Sequence, residues 1–221
     1  MILADCGTVW SKICDTGTGV LDVLSTKDVT VKYPGSFDIG TGHMAKGRSI
    51  RYENELIALI RGSMRLVEEG TYSIVDVGGR DIKFCRLKER RPLKLDWNQS
   101  CGANTGFTIE LLAGYYGLDC NKLPVTGERI PLTCGVFGME KMFDMIINKV
   151  DPAEALARFV HGLAYNVFNF CGRPEKLYLS GGLCENNSFL ASLGKYTDVT
   201  PLGRDVLLYG LSEEYAGPTG G

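Results

Sequence analysis

The chain predicts an α/β fold, and three features carry that expectation. Short buried-strand runs alternate with stretches of helical periodicity along most of its length. An apolar strand ending in Asp-x-Gly occurs twice, as Leu3-Ala4-Asp5-Cys6-Gly7-Thr8 and as Ile74-Val75-Asp76-Val77-Gly78-Gly79. Glycine is abundant, 28 of 221 residues against an average of about 7%, and several glycines fall in turns that follow strands.

Taken in order, Met1-Ile2-Leu3-Ala4-Asp5 is a buried-strand pattern without a basic leader region, so no signal peptide is expected. A second strand from Trp10 to Asp15 carries Lys12. A short apolar strand is expected around Val29–Val31, then a Gly-rich turn at Gly40-Thr41-Gly42 and a helix from about Glu53 to Glu69. The second Asp-x-Gly strand follows, paired with a strand from Asp81 to Leu87 that carries Lys83. Helical periodicity then marks Phe107–Tyr116, Phe137–Lys149 and Asp151–Phe170. The last has Asp151 to cap it, Pro152 at the first position, Glu154 at the third and Gly172 as a stop. Lys176–Ser180 is a buried strand running into Gly181-Gly182 and a helix from about Glu185 to Tyr196. The repeat of the Asp-x-Gly unit suggests two related lobes, residues 1–71 and 72–221, with the last residues frayed or packed back.

Composition narrows the function classes. Lys+Arg is 24 and Asp+Glu is 26, so no basic excess points to nucleic acid or an anionic membrane. No apolar run reaches the roughly 18–20 residues of a membrane span, and a cytoplasmic location is expected. Two histidines make a His-rich metal site or a histidine-centred triad improbable. Eight cysteines without an export signal are expected as reduced thiols.

Three motifs carry chemistry. Asp5-Cys6-Gly7-Thr8-Val9-Trp10-Ser11-Lys12 places a carboxylate at a strand end, followed by a tight turn. Its backbone N–H groups and the Thr8 and Ser11 hydroxyls suit phosphate oxygens, and Asp5 suits water-bridged Mg²⁺. Asp76-Val77-Gly78-Gly79-Arg80-Asp81-Ile82-Lys83 repeats the arrangement. Either alone is also an ordinary hairpin turn; the pair suits a clamp for a metal-bound polyphosphate. Leu179-Ser180-Gly181-Gly182-Leu183-Cys184-Glu185-Asn186 puts paired glycines after a strand, where the backbone can approach a planar ligand. A plain strand–helix turn remains the alternative there.

In this order the three elements resemble the phosphate-1, phosphate-2 and adenosine motifs of the actin-like (ribonuclease H-like) ATPase superfamily. That resemblance implies two actin-like lobes with a nucleotide cleft between them. Two cysteines then stand out: Cys101 and Cys134 each immediately precede a helical stretch, where the helix dipole stabilises a thiolate or an anionic cluster. Two such ligands are half of a four-cysteine set, so a [4Fe–4S] cluster would need two copies of the chain. Small buried helix caps are the alternative.

The whole combination resembles the BadF/BadG/BcrA/BcrD family: ATPase activators of 2-hydroxyacyl-CoA dehydratases and ATP-binding subunits of benzoyl-CoA reductases. Its D-x-G-S-T-x-x-S-K, D-I-G-G-Q-D-x-K, K-C-A-A-G-T-G, S-T-C-x-V-F-A-E and T-G-G-V-A-x-N segments have counterparts here in the same order. Thr41-Gly42 and Glu55 match a further turn and the glutamate on the helix after it. The resemblance implies that Asp5 and Asp76 organise Mg²⁺ and water. Gly7, Thr8, Ser11, Lys12, Gly78, Gly79, Lys83, Gly181, Gly182 and Asn186 would hold ATP or ADP. Cys101 and Cys134 would ligate a [4Fe–4S] cluster shared between the subunits of a homodimer. The implied activity is ATP-dependent transfer of one electron to a partner iron–sulfur enzyme, after reduction by a ferredoxin or flavodoxin.

Departures are informative. Arg80 stands where the family has Gln, Asn104 replaces a loop glycine, and Met139 occupies the position of a glutamate. The family's final helix is eroded to Leu207-Leu208-Tyr209-Gly210-Leu211. The other six cysteines, His43 and His161 are expected to be structural. Two rival activities use the same motifs: a small-molecule kinase, and a non-catalytic nucleotide-binding regulator.

Overall fold

The computed structural model describes residues 1–98 and 105–217; Cys101 therefore lies outside the described residues. The α/β expectation holds as two five-stranded sheets with helices packed on them.

The described residues form two compact units. The first comprises Met1–Thr71, Cys85–Leu95 and the chain from Arg204 onward; the second comprises Tyr72–Phe84 and the described part of Asp96–Gly203.

In the first sheet the strands are β1 (Ile2–Cys6), β2 (Trp10–Asp15), β3 (Val20–Ser25), β4 (Phe37–Thr41) and β5 (Ser49–Tyr52), in spatial order β3-β2-β1-β4-β5. β1 pairs antiparallel with β2 and parallel with β4. Its near-continuous apolar run is that of a central strand buried on both faces. Leu3, Ala4 and Cys6 are fully buried there.

Where a strand was expected at Val29–Val31, the chain forms a single helical turn, α1 (Val29–Lys32), directly after a 3-10 turn. The β-branched Val-Thr-Val favours a strand, but only Val29 reaches the core while Val31 is 83% exposed. A strand there would have left the preceding 3-10 turn without its continuation.

The helix after β5 is α2 (Glu55–Leu66), two residues inside its expected start because Asn54 caps it, its side chain accepting from Leu56 N. Against α2 lies α7 (Val206–Leu211), the segment whose motif is eroded. The two backbones meet at glycines: a Cβ on Gly62 would lie 1.9 Å from Val206 O, and one on Gly210 1.8 Å from Ala58 O. Arg65 fastens the chain after α7, donating to the carbonyls of Tyr209, Ser212, Glu213 and Tyr215.

The second sheet has β6 (Tyr72–Val77), β7 (Ile82–Lys88), β8 (Arg91–Asn98), β9 (Lys176–Ser180) and β10 (Asp198–Gly203), in order β10-β9-β6-β7-β8. Read from the hairpin edge, both sheets have the same plan: a three-strand meander, then two parallel strands entered by a crossover. The Asp-x-Gly echo is thus the visible trace of a topological duplication.

Around the second core pack α3 (Gly106–Tyr115), α4 (Gly135–Ile147), α5 (Pro152–Phe170) and α6 (Asn187–Leu193). α5 starts as the sequence predicts: Asp151 Oδ1 accepts from Ala153 N and Glu154 N, with Pro152 at the first position. Its face Ala155, Leu156, Phe159, Val160 and Leu163 is fully buried.

Candidate functional site

β1 carries Asp5 to the end of its strand, where only 3% of the residue stays exposed. Register places Asp5 opposite Lys12 on β2, and Lys12 Nζ donates to Asp5 Oδ2 at 2.7 Å. The turn between them is tight: a Cβ on Gly7 would lie 2.7 Å from Trp10 O. Thr26 Oγ1 donates to Gly7 O at 2.9 Å. Its single proton is thereby used, so the 2.8 Å contact with Ser11 Oγ makes Ser11 the donor. Ser11 is fully buried and holds the turn from beneath, whereas Thr8 is exposed at its tip. On the other side of Asp5 is Thr41 of β4, in register with it. Gly42, at φ +87°, brings the next peptide against Cys6, where a Cβ would be 2.2 Å from the carbonyl oxygen.

The second unit repeats this plan. Asp76 at the end of β6 is in register with Ser180 of β9, whose hydroxyl donates to Asp76 Oδ1 at 2.7 Å. Gly181, at φ +97°, follows as Gly42 follows Thr41; a Cβ there would lie 2.5 Å from Val77 O. The hairpin lysine is Lys83, which is buried; its Nζ lies 3.9 Å from Asp76 Oδ2 and donates to Asp81 Oδ1 at 2.6 Å. Trp97 Nε1 donates to Asp81 Oδ2 at 2.9 Å, and its ring faces the Lys83 ammonium. A buried cation between two carboxylates is compensated; removing it strands both acids.

Four residues of these clusters have roles that the motifs do not show. Thr41 and Ser180 share only a hydroxyl before a glycine, and Asp81 and Trp97 meet through sheet pairing. The Gly-hydroxyl echo could have been found once the duplication was suspected.

The remaining expected residues fall as follows. Gly79 is partly exposed and Arg80 exposed in the Asp76–Asp81 turn. Gly182 is exposed, and a Cβ on it would meet no atom within 4 Å. Asn186 is buried and caps α6: Oδ1 accepts from Phe189 N at 2.8 Å and Nδ2 donates to Cys120 O at 2.7 Å. Cys134 is the half-buried N-cap of α4, and its sulfur makes no cap bond. It therefore stands beside the unsatisfied N–H groups of that helix. Cys101, its expected counterpart, lies outside the described residues. Among the described residues no group of three or more metal-ligating side chains occurs.

The other thiols are dull by environment. Burial pushes Cys6 up to about 11, and Cys85 and Cys184 up to about 12, so none is a thiolate at neutral pH. His161, buried between Glu128 O and Tyr196 OH, is held below its ordinary value chiefly by burial. An apolar groove of about 560 Å³ between α3 and α4, lined by Leu111, Tyr115, Phe143 and Ile147 among others, lacks the polar groups a nucleotide needs. No described helix is long and apolar enough to cross a membrane.

No family model matches the chain. It is 21% identical over 163 residues to the (R)-2-hydroxyglutaryl-CoA dehydratase activating ATPase of Acidaminococcus fermentans, covering 68% of this chain and 62% of that protein. It is 23% identical over 166 residues to the 2-hydroxyisocaproyl-CoA dehydratase activator of Clostridioides difficile, covering 71% of this chain and again 62% of the relative. These alignments thus span under two thirds of either relative. The solved structure of an activator of the 2-hydroxyisocaproyl-CoA dehydratase from Clostridium difficile, with bound ADPNP, superposes with a TM-score of 0.79 at 20% identity, covering 98% of this chain and 94% of that one. By sequence the chain is a relative of the 2-hydroxyacyl-CoA dehydratase activators, and its fold is that of the actin-like ATPases.

Proposed function

We propose that the protein is an ATP-dependent activator: a homodimer that binds Mg²⁺–ATP on each chain and passes one electron to a partner iron–sulfur enzyme. A 2-hydroxyacyl-CoA dehydratase is the acceptor the relatives favour, an aromatic-CoA reductase the other class, and a ferredoxin or flavodoxin the upstream reductant. The observation that carries this reading is the duplicated site plan. Each unit ends a central strand in a buried aspartate, sets a hairpin lysine within ion-pair reach of it, and follows the adjacent parallel strand with a positive-φ glycine.

In this reading Asp5 and Asp76 orient Mg²⁺ and its water shell, which a carboxylate at a strand end does through bound water. Asp76 Oδ1 accepts from Ser180, so Oδ2, which makes no hydrogen bond among the described residues but lies 3.9 Å from Lys83 Nζ, is the oxygen that would face an attacking water. Lys12 and Lys83 offset the negative charge gathered at the two turns. Thr8, Gly7, Gly78 and Gly79 meet phosphates; Gly181 and Gly182 meet the nucleoside; Ser11 and Asn186 hold those turns from beneath. Cys134, with an unengaged sulfur at a helix N-terminus, suits a ligand of a [4Fe–4S] cluster, and Cys101 and Cys134 of both chains would together make the set of four. The cluster, when bound, supplies the one-electron reductant.

Anaerobic purification with iron, sulfide and visible absorbance measured on wild type and Cys134→Ser tests the proposal. We expect about four irons and four sulfides per dimer, lost in the variant, together with ATP turnover. A colourless, iron-free monomer would sink the electron-donor reading; turnover without iron would then favour the kinase, and binding without turnover the regulator.

A further inference from the structure

The turn at Gly78-Gly79 is held from one side by the start of α3. Thr105 precedes that helix as its N-cap, yet its hydroxyl does not cap it. Threonine at this position ordinarily accepts from the second or third helical N–H. Here Thr105 Oγ1 instead donates to Gly79 O at 2.6 Å, from a site 2% exposed. The first two helical amides turn the same way: Gly106 N donates to Gly78 O at 3.2 Å and Phe107 N to Gly79 O at 3.0 Å. Both lone pairs of the Gly79 carbonyl are therefore taken.

This fixes two peptide planes. In a trans peptide the carbonyl and the following N–H point in opposite directions. Anchoring the Gly78 and Gly79 carbonyls on α3 therefore turns the N–H groups of Gly79 and Arg80 away from the helix. Neither amide meets an acceptor among the described residues, and neither does the exposed Arg80 guanidinium. Successive N–H groups facing one way, beside a free arginine, form an anion-binding concavity.

We propose that Thr105 is a positioning residue for phosphate binding: by holding the Gly79 carbonyl it aims the Gly79 and Arg80 amides at a phosphate oxygen of the nucleotide. The inference rests on the ATP reading above and assigns Thr105 a part in it. Losing the hydroxyl leaves the Gly79 carbonyl on the Phe107 amide alone and loosens the Gly79–Arg80 peptide, so the loss falls on the phosphates and leaves the nucleoside contacts alone.

The test is calorimetric titration of the full chain with Mg²⁺–ATP and, separately, with adenosine, for wild type, Thr105→Val and Thr105→Ser. Thr105→Val is isosteric but cannot donate; ATP affinity should fall by up to about tenfold, the upper end for one neutral hydrogen bond, with adenosine affinity unchanged. Thr105→Ser keeps the donor and should bind ATP within about twofold of wild type. Equal ATP affinity in wild type and Thr105→Val overturns the inference and leaves the ATP reading standing. So does an equal loss for ATP and adenosine, which would mark Thr105 as merely structural, or a serine variant as weak as valine. A wild type that binds neither ligand overturns both.

Discussion

Adjacent glycines in the Gly181-Gly182 turn serve opposite ends. Gly181 is required by the fold: its positive φ and the 2.5 Å approach to Val77 O exclude any side chain. Gly182 has open space around it and an ordinary φ, so the fold does not require it. Gly181→Ala should therefore destabilise the protein by about 1–3 kcal/mol. Gly182→Leu should melt like wild type, within about 0.5 kcal/mol, yet lose ATP binding because its side chain fills the nucleoside's place. Thermal melts alongside ATP titration check both; a Gly182→Leu variant that still binds ATP would remove that residue from the site. At this scale the aspartates, lysines and glycines were legible because their types and spacing are the chemistry. Ser180, Thr41 and Thr105 were not, because a hydroxyl acquires its role only from the carboxylate or carbonyl that sheet register and helix packing bring to it.

Among the elements, the start of α5 is the most legible. Asp151-Pro152 starts α5 where its capping chemistry demands, and β1, β6 and β9 are mostly apolar, buried runs. α1 was misread because two valines and a threonine look like a strand until their exposure is known. Five strands are absent from the sequence reading: β3, β5, β8 and β10 are sheet edges with little buried apolar pattern to mark them, and β4 is an interior strand whose end, Gly40-Thr41, reads as a turn. The eroded final motif still forms a helix, α7, and its glycine is structural. Gly210→Ala would drive a methyl to 1.8 Å from the Ala58 carbonyl oxygen, which the α2 backbone cannot yield. It should cost about 1–3 kcal/mol. The same change at Gly114 of α3, with nothing within 4 Å, should stabilise by about 0.5–1 kcal/mol. Denaturant titrations of the two variants should thus move in opposite directions; matching shifts would refute the close α2–α7 crossing.

For the molecule as a whole, the Asp-x-Gly echo announced a duplication, and the two sheets share one strand order. What the sequence could not announce is the assignment of Cys85–Leu95 and of the chain from Arg204 onward to the first unit, because that grouping depends on long-range packing such as the Arg65 clamp. If the aspartate turns hold Mg²⁺–ATP as proposed, its affinity depends on both magnesium and Asp76. Calorimetric titration with ATP, with and without magnesium, on wild type and Asp76→Asn tests it most directly, since asparagine preserves the shape and can still accept from Ser180. One ATP should bind per chain, tighter with magnesium, with at least a tenfold loss of that magnesium-dependent affinity, about 1.4 kcal/mol, in the variant. An affinity indifferent to magnesium, or equal in Asp76→Asn and wild type, would contradict it.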